Sequence, residues 1–413
     1  MKSIEKWLYL PIEVKVREQD AKLILAYHAL KEGYHVMIGD HIQVEMALES
    51  FPKGIFFSKG GPHGFRKRVI THAKDHGHLV VELDEEGLLI QKKSYLMDRM
   101  RRDTLLHVSK EFCWGSHQKR SITSANPDLT NRCHEVGNPR FDLLQPKYRT
   151  IYEEEAQSIK DQYGNFILVN TRFSQYNTAK GKKENTYYQF IKQLYNRFLD
   201  LVEELCKKFP QYTIVIRPHP GEDFNSYRKY FSGYKNVHVV HEGSIIKWLM
   251  AAQVIIHNGC TSGIEAFLLN KPLISFIPFA TKELDLPNQL GRKAKSYKEV
   301  ISILENIFSS QSILTSEEKE QQRRLLSNFY KWDDNSYSYT SILQYCRDLQ
   351  LPSHVTPKNP KRLSLNRKHR KRKFTLTGEE ISDFFSRLDQ IEGNSTSYQI
   401  VPIAANLYKL SLK

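Results

Sequence analysis

Several features that would place this chain in a familiar class are missing from its sequence. The five cysteines are scattered and form no CxxC pair, which excludes an obvious zinc-finger site and fits a reducing compartment. No apolar run approaches the roughly 20 residues that span a bilayer. The opening segment KWLYLPIEV reads as a strand rather than a signal peptide. These absences predict a cytoplasmic protein.

Acidic residues are absent from one segment near the C-terminus. The chain has a formal net charge of +15, and nine lysines and arginines lie between Lys358 and Lys373 without a single acid. Such a run can be a solvated tail, or it can bind an anionic membrane surface or nucleic acid. Because the run has no interleaved aromatic residues, we expect no nucleic-acid partner. We expect peripheral attachment to the inner face of the cytoplasmic membrane if the run binds lipid.

Strand and helix patterns alternate through most of the 413 residues. This alternation predicts parallel sheets covered by helices, and the length requires more than one core. We predict an α/β fold with two facing, Rossmann-like, doubly wound domains and an interdomain cleft. The predicted domains are residues 1–150 and 151–350, followed by a basic, partly disordered tail at 351–413 with one short helix.

The segment TIVIRPHPGED ends a buried strand in charged and rigid residues. Arg217 and His219 follow the apolar stretch, and Pro218 and Pro220 restrict the backbone around the histidine. Strand ends in α/β proteins commonly bind ligands. We predict that Arg217 and His219 meet a phosphate there, although a structural histidine bonded to a carbonyl is the alternative.

The segment VIIHNGCTSGIEAFLLNKPLISF predicts a strand, a turn, a helix and a second strand. Thr261 and Ser262 fall at the predicted helix start, where free N–H groups and the helix dipole favour anions. Gly259 and Gly263 would let a ligand approach the backbone closely. Simple N-capping by either hydroxyl is the alternative.

The segment VVELDEEGLL ends another strand in Asp84, Glu85 and Glu86. Adjacent carboxylates repel one another, which tends to raise at least one pKa and favours a general base. An acidic surface turn is the alternative. No Walker sequence follows the glycine loop SKGGPHG.

Together these motifs resemble those of a known enzyme family. Glu85–Glu86–Gly87, His219–Pro220 and Thr261–Ser262 are similar, in order, to the D/E-D/E-G, HP and S/T-S/T motifs of bacterial sialyltransferases and polysialyltransferases. Those enzymes have the GT-B fold and use CMP-activated sugars. The wider chain, over roughly residues 7–300, resembles bacterial surface carbohydrate biosynthesis proteins. Capsule Kdo transferases and teichoic-acid glycerophosphotransferases share parts of the pattern.

The resemblance implies a role for each matched position. Glu85, or else Glu86, would deprotonate the acceptor, with the extra acid Asp84 leaving the choice open. His219 would bind the CMP phosphate and assist its departure, Pro220 would face the cytosine, and Glu242 is placed like a ribose-binding glutamate. The residues predicted to bind the nucleotide sugar, from the local patterns and the resemblance together, are Arg217, Pro220, Glu242, Asn258, Gly259, Thr261, Ser262 and Gly263.

The motifs and the resemblance together predict that the protein is an inverting, metal-independent glycosyltransferase. It would move a sialic, pseudaminic or Kdo-type acid from a CMP donor to a glycan or lipid-linked acceptor of the bacterial surface, in capsule or lipopolysaccharide. A single donor phosphate can be stabilised by His, Arg and backbone N–H groups, so no metal or other cofactor is expected. The alternatives are a CDP-glycerol glycerophosphotransferase-like enzyme and a UDP-sugar-using GT-B enzyme or epimerase.

Overall fold

The computed structural model describes residues 5–178, 185–279, 285–333, 336–351 and 374–413. It divides into two compact units. The first comprises Met1–Ile151 and Ser327–Lys413, and the second comprises Tyr152–Leu326. Within these residues no helix has both the length and the apolar composition needed to cross a bilayer. The basic run at 358–373 lies outside the described residues.

The strands, numbered along the chain, are β1 Lys6–Ile12, β2 Tyr34–Asp40, β3 Ile55–Ser58, β4 Leu79–Leu83, β5 Lys110–Cys113, β6 Cys133–Glu135, β7 Phe166–Asn170, β8 Thr213–Arg217, β9 Val237–Val239, β10 Val254–His257, β11 Leu273–Phe276, β12 Arg292–Ala294, β13 Tyr398–Ala404 and β14 Leu407–Leu412.

The helices are α1 Lys15–Lys31, α2 His41–Ala47, α3 His63–Asp75, α4 Lys92–Asp98, α5 Arg102–Leu105, α6 Ser116–Ala125, α7 Pro139–Asp142, α8 Pro146–Arg149, α9 Glu153–Tyr163, α10 Thr186–Lys208, α11 Phe224–Tyr230, α12 Ile245–Ala251, α13 Ser262–Leu268, α14 Leu286–Gln289, α15 Tyr297–Phe308, α16 Ser316–Ser327, α17 Ser338–Arg347 and α18 Gly378–Glu392. Short 3₁₀ helices cover Pro127–Arg132 and Thr150–Tyr152.

Both units contain the predicted parallel sheet. The first sheet has the order β13-β14-β2-β1-β3-β4-β5-β6, and the strands from β2 to β6 pair in parallel. The second sheet has the order β12-β11-β10-β7-β8-β9, with every pair parallel. The apolar runs of the central strands are buried because helices cover them. The prediction of two Rossmann-like α/β domains is therefore confirmed.

Residues 374–413, within the segment predicted as a basic, partly disordered tail with one short helix, contain a helix and two strands. Helix α18 begins with a capping box between Thr377 and Glu380 and ends at Gly393 in the left-handed conformation. It packs on α1 through Phe385, whose ring lies edge-on to Tyr27. Strands β13 and β14 then form a hairpin, and β14 joins β2 in antiparallel fashion. The apolar residues of this hairpin extend the first sheet, which accounts for the regular structure of residues 398–412.

The predicted domain boundary at residue 350 also differs from the structure. Residues from Ser327 onward belong to the first unit. The buried carboxylate of Asp142 accepts hydrogen bonds from the backbone N–H groups of Ser338 and Tyr339, at 2.8 and 3.0 Å, and so caps α17. The Tyr339 ring stacks on His28 of α1. The chain therefore returns to the first unit before α17, by contacts that hydrophobic periodicity does not reveal.

The hairpin should contribute to the stability of the first unit. Leu410 of β14 is fully buried, whereas Leu412 of the same strand is 40 % exposed. We expect Leu410→Ala to lower the free energy of unfolding by ~2–5 kcal/mol because it leaves a cavity. Leu412→Ala should change it by less than about 0.5 kcal/mol. Urea unfolding followed by circular dichroism measures both, and equal effects would contradict a structural role for the hairpin.

Candidate functional site

The carboxyl edge of the second sheet contains the point where the strand order reverses. From β7 the chain passes to β8 and β9 on one side, and β10, β11 and β12 lie on the other. Ligands of open α/β sheets bind outside the carboxyl ends of the strands at such a point. The two second-unit motifs follow β8 and β10, the immediate neighbours of β7.

Residues at the end of β7 join the loops that carry the two motifs. The amide Nδ2 of Asn170 donates to Ser262 Oγ at 2.9 Å. The hydroxyl of Thr171 donates to Glu222 Oε1 at 2.8 Å. The Nη1 group of Arg172 donates to the Gly259 carbonyl. The HP and TS motifs are therefore brought to one edge of the sheet, as the sequence predicted, by residues that the prediction did not include.

The buried carboxylate of Glu222 organises the turn that presents His219. Besides Thr171, it accepts hydrogen bonds from the Tyr227 hydroxyl at 2.6 Å and from the backbone N–H of His219 at 3.1 Å. Burial raises its pKa, and the hydrogen bonds oppose that rise. Glu222 stands in the segment RPHPGE, but its role depends on the distant partners Thr171 and Tyr227, which sequence reasoning does not reveal.

The side chain of His219 is exposed, as is Pro220. Its Nδ1 accepts a hydrogen bond from the backbone N–H of Gly221 at 3.1 Å. An accepting Nδ1 means that the neutral ring carries its proton on Nε2. The imidazole therefore presents an N–H donor at Nε2, which suits a phosphate oxygen.

Arg217 lies at the predicted strand end, but its guanidinium points to a neighbouring loop. It is 6 % exposed and donates to the carbonyls of Glu242 and Gly243 at 2.9 and 2.6 Å. It also lies 5.7 Å from the centre of the Trp248 ring. Burial lowers its pKa to about 10, against the opposing charges of Glu265 and Glu242. Arg217 thus holds the loop that exposes the Glu242 side chain, whereas Arg172 is exposed at the same edge.

The hydroxyls of Thr261 and Ser262 have different environments. Ser262 is 5 % exposed, and its Oγ accepts from Asn170 and donates to Cys260 Sγ at 3.1 Å. Thr261 is partly exposed and makes no side-chain capping hydrogen bond to α13. Thr261 is therefore the better placed of the two to meet a ligand, and Ser262 fixes the turn.

Contacts within the second unit explain the two glycines and Asn258. A Cβ atom on Gly259, which has φ +60°, would lie 2.1 Å from Asp285 Oδ2. A Cβ atom on Gly263 would lie 2.4 Å from Cε1 of the buried His257 ring. Asn258 donates to the Phe276 carbonyl at 2.6 Å. The expected close approach of a ligand is thus not needed to account for these residues.

The three acids of the first unit follow β4 and also have different environments. Asp84 is buried and accepts two hydrogen bonds from Arg99, at 2.8 and 2.5 Å. Glu85 is buried against Lys22, whose Nζ lies 2.9 Å from Oε1. Glu86 is exposed and pairs with Arg17 at 2.7 Å. Burial alone would raise the pKa of Glu85, but Lys22 and Arg17 bring that pKa below its usual value.

These environments bear on which acid can act as a base. A carboxylate held by a buried ammonium, with a lowered pKa, accepts a proton poorly. Asp84 is held by Arg99 and supports the turn by accepting from the Glu86 N–H at 3.1 Å. Glu86 is the accessible acid of the three, although the sequence ranked it second. The assignment of Glu85 or Glu86 as the general base stays a prediction.

Further charges surround these acids at the carboxyl edge of the first sheet. Lys59, after β3, pairs with Glu13, after β1, and Arg17 of α1 also pairs with Glu18. Strand β1 lies where this sheet reverses its strand order. The sequence did not point to Arg17 and Lys22 of α1 or to Lys59 after β3, because single lysines and arginines carry no motif of their own.

Comparisons with known proteins identify the fold. No family model matches the chain, and no curated protein matches it. A solved UDP-N-acetylglucosamine 2-epimerase is similar with a TM-score of 0.54 and 13% identity, over 86% of this chain and 100% of that chain. A putative UDP-N-acetylglucosamine 2-epimerase from Listeria monocytogenes gives 0.52 and 11%, over 83% and 96%. S. aureus MnaA in complex with UDP gives 0.50 and 13%, over 85% and 99%. The chain therefore has the GT-B fold of these proteins.

The structural explanation of Gly263 can be tested directly. We expect Gly263→Ala to lower the free energy of unfolding by ~1–3 kcal/mol, because the added methyl overpacks the His257 ring. Gly233→Ala is the matched control, since a Cβ there meets nothing within 4 Å. Thermal unfolding of both variants gives the comparison. An unchanged midpoint in Gly263→Ala would point instead to a glycine kept for a ligand.

Proposed function

We propose that the protein is an enzyme that binds a nucleotide-activated sugar at the carboxyl edge of the second sheet and acts in the synthesis of a bacterial surface glycan. The observation that carries this proposal is that the loops carrying His219 and Thr261 follow the two strands beside β7, at the switch point of the sheet where Arg172 also lies. The hydrogen bonds of Asn170, Thr171 and Arg172 to the neighbouring loops support it. The GT-B fold is consistent with it.

A pyrimidine nucleotide is the ligand class that we propose. The similar structures are UDP-N-acetylglucosamine 2-epimerases and a complex with UDP, whereas the motif resemblance implies CMP. For this reason we propose a UDP-sugar as the first candidate ligand, a CMP-sugar as the second and a CDP-linked group as the third. The His219 Nε2–H and the Thr261 hydroxyl would donate to phosphate oxygens, and Arg172 would offset their charge. Glu242 would face the ribose.

Two reactions are compatible with such a site, namely transfer of the sugar to an acceptor and epimerisation of the sugar while it is bound to the nucleotide. For transfer, a base must take the acceptor proton as the bond from the anomeric carbon to the phosphate oxygen breaks. We assign that role to Glu86, because it is the exposed acid of the three. Direct displacement would invert the anomeric centre. Membrane attachment through the basic run stays a prediction.

Calorimetry with UDP, CDP and CMP, followed by mass spectrometry of reactions with UDP-N-acetylglucosamine and a CMP-sugar, tests the proposal. We expect saturable binding of UDP and a new product from the UDP-sugar. Binding of CMP alone would restore the CMP-sugar assignment. Failure to bind any of the three nucleotides would refute the proposed function.

Turnover should depend on His219. We expect His219→Ala to lower kcat by about 10²–10⁴-fold, the range typical of removing a proton donor. His238→Ala is the matched control, because His238 is also exposed and lies on the neighbouring β9. Steady-state assays on the identified substrate measure both variants. Near-normal turnover in His219→Ala would remove this residue from the mechanism.

Glu85 and Glu86 should respond differently to substitution. Glu85→Ala leaves Lys22 buried without its partner, so we expect a loss of stability of ~3–5 kcal/mol. Glu86→Gln should leave the unfolding midpoint nearly unchanged while lowering kcat by about 10²-fold or more. Unfolding and turnover are measured on both variants. A Glu86→Gln enzyme of normal kcat would show that the base lies elsewhere.

A further inference from the structure

Two histidines and a glutamate lie together on the first unit, away from the residues discussed above. His72 lies in the last turn of α3 and His76 caps its C-terminus, while Glu49 follows α2. One potential ligand atom from each of the three lies within 4.8 Å of the others. The Nε2 atom of His72 is 3.2 Å from Glu49 Oε1. This distance is close to that between two ligands of one tetrahedral zinc ion, for bonds of about 2.0–2.2 Å.

Helical geometry accounts for the pairing of the two histidines. Residues four apart lie on the same face of a helix, one turn from each other. The centres of the His72 and His76 rings are 4.5 Å apart. The glutamate comes from the segment after the neighbouring α2, so the cluster joins two parts of the chain that are more than twenty residues apart in sequence.

An outer hydrogen bond orients the His76 ring for a metal. Nδ1 of His76 lies 2.8 Å from the His72 carbonyl oxygen, which can only accept, so Nδ1 carries the proton. The lone pair of the neutral His76 ring is therefore on Nε2. Histidines that bind metals usually donate their other ring N–H to a carbonyl or carboxylate in this way.

The outer nitrogen of the His72 ring faces a carboxylate beyond hydrogen-bond distance. Its Nδ1 is buried without a hydrogen-bond partner and lies 3.7 Å from Glu45 Oε1. Both oxygens of Glu45 are held by Arg68. A proton on Nδ1 would face Glu45 and leave the lone pair of Nε2, which lies 3.2 Å from Glu49 Oε1, to bind an ion.

We propose that Glu49, His72 and His76 form a binding site for a divalent transition metal of the zinc class. Two imidazoles and one carboxylate are a common three-residue zinc ligand set, and water fills the fourth position. The Glu49 and His72 side chains are 37% and 24% exposed, so water and the ion reach the site from solvent.

The position of the site indicates a structural or regulatory role rather than a catalytic one. His76 precedes β4, whereas Asp84, Glu85 and Glu86 follow it. The metal site is thus at the amino edge of the first sheet, and the candidate base is at the carboxyl edge. A bound ion would tie the end of α3 to the segment after α2 and stabilise the folded first unit by mass action. The inference does not depend on the proposed function.

Metal binding to the untagged, chelator-treated full chain tests the proposal. Co²⁺ and Zn²⁺ are the probes, with the visible absorption of Co²⁺ and its loss on adding Zn²⁺ as the readout. We expect one equivalent to bind with the spectrum of a nitrogen- and oxygen-ligated site. Zn²⁺ should also raise the thermal midpoint of the protein.

Variants then locate the site. His76→Gln and Glu49→Gln should each weaken Zn²⁺ binding by about 100-fold or more, and Glu45→Gln by about 10-fold, as expected for ligands and outer partners. His107→Ala is the control, because His107 is an exposed histidine of the same unit. Zn²⁺ should no longer raise the thermal midpoint of His76→Gln. Equal Zn²⁺ affinity in the wild-type chain, His76→Gln and Glu49→Gln would overturn the proposal, as would the absence of saturable binding.

Discussion

The candidate site of the second unit depends on the hydrogen bonds of the buried Glu222 carboxylate. A carboxylate is costly to bury unless hydrogen bonds compensate for the lost water. Here the compensation comes from Thr171 after β7, Tyr227 of α11 and the backbone of His219. One buried group thus fixes the end of the central strand to the turn that exposes the imidazole. Asn170, which precedes Thr171, fixes the same strand end to the turn of Ser262.

The fold could be predicted from the sequence because it depends on local patterns. Apolar runs of strand length alternate with helical periodicity, and that alternation implies a doubly wound sheet whatever the distant contacts are. The end of each strand is marked by a change of composition, so the sites of His219, Thr261 and the acids could be placed on strand ends. The C-terminal hairpin was missed because the basic run before it dominated the composition of that segment.

The detail of the site could not be predicted in the same way. The roles of Arg217 and Arg172 differ because Arg217 is buried on the carbonyls of Glu242 and Gly243, whereas Arg172 donates to the Gly259 carbonyl from an exposed position. Two arginines at two strand ends look alike in a sequence. The same holds for Glu85, whose charge is fixed by Lys22, a residue 63 positions away. Such assignments depend on hydrogen bonds and ion pairs between residues far apart in the chain. These contacts leave no periodic pattern in the sequence.

Each of the three motifs has the same internal organisation, and this organisation argues for function. Glu86 is exposed beside the buried, paired Asp84 and Glu85; His219 is exposed between the engaged Arg217 and Glu222; Thr261 is more accessible than the hydrogen-bonded Ser262. A solvated surface turn needs no buried ion pair beneath it, and burying charges generally contributes little net stability. Buried polar groups that hold one exposed reactive group in place are, in contrast, what a preorganised site requires. On this ground we propose a ligand site, rather than simple helix capping or an acidic turn, at these strand ends.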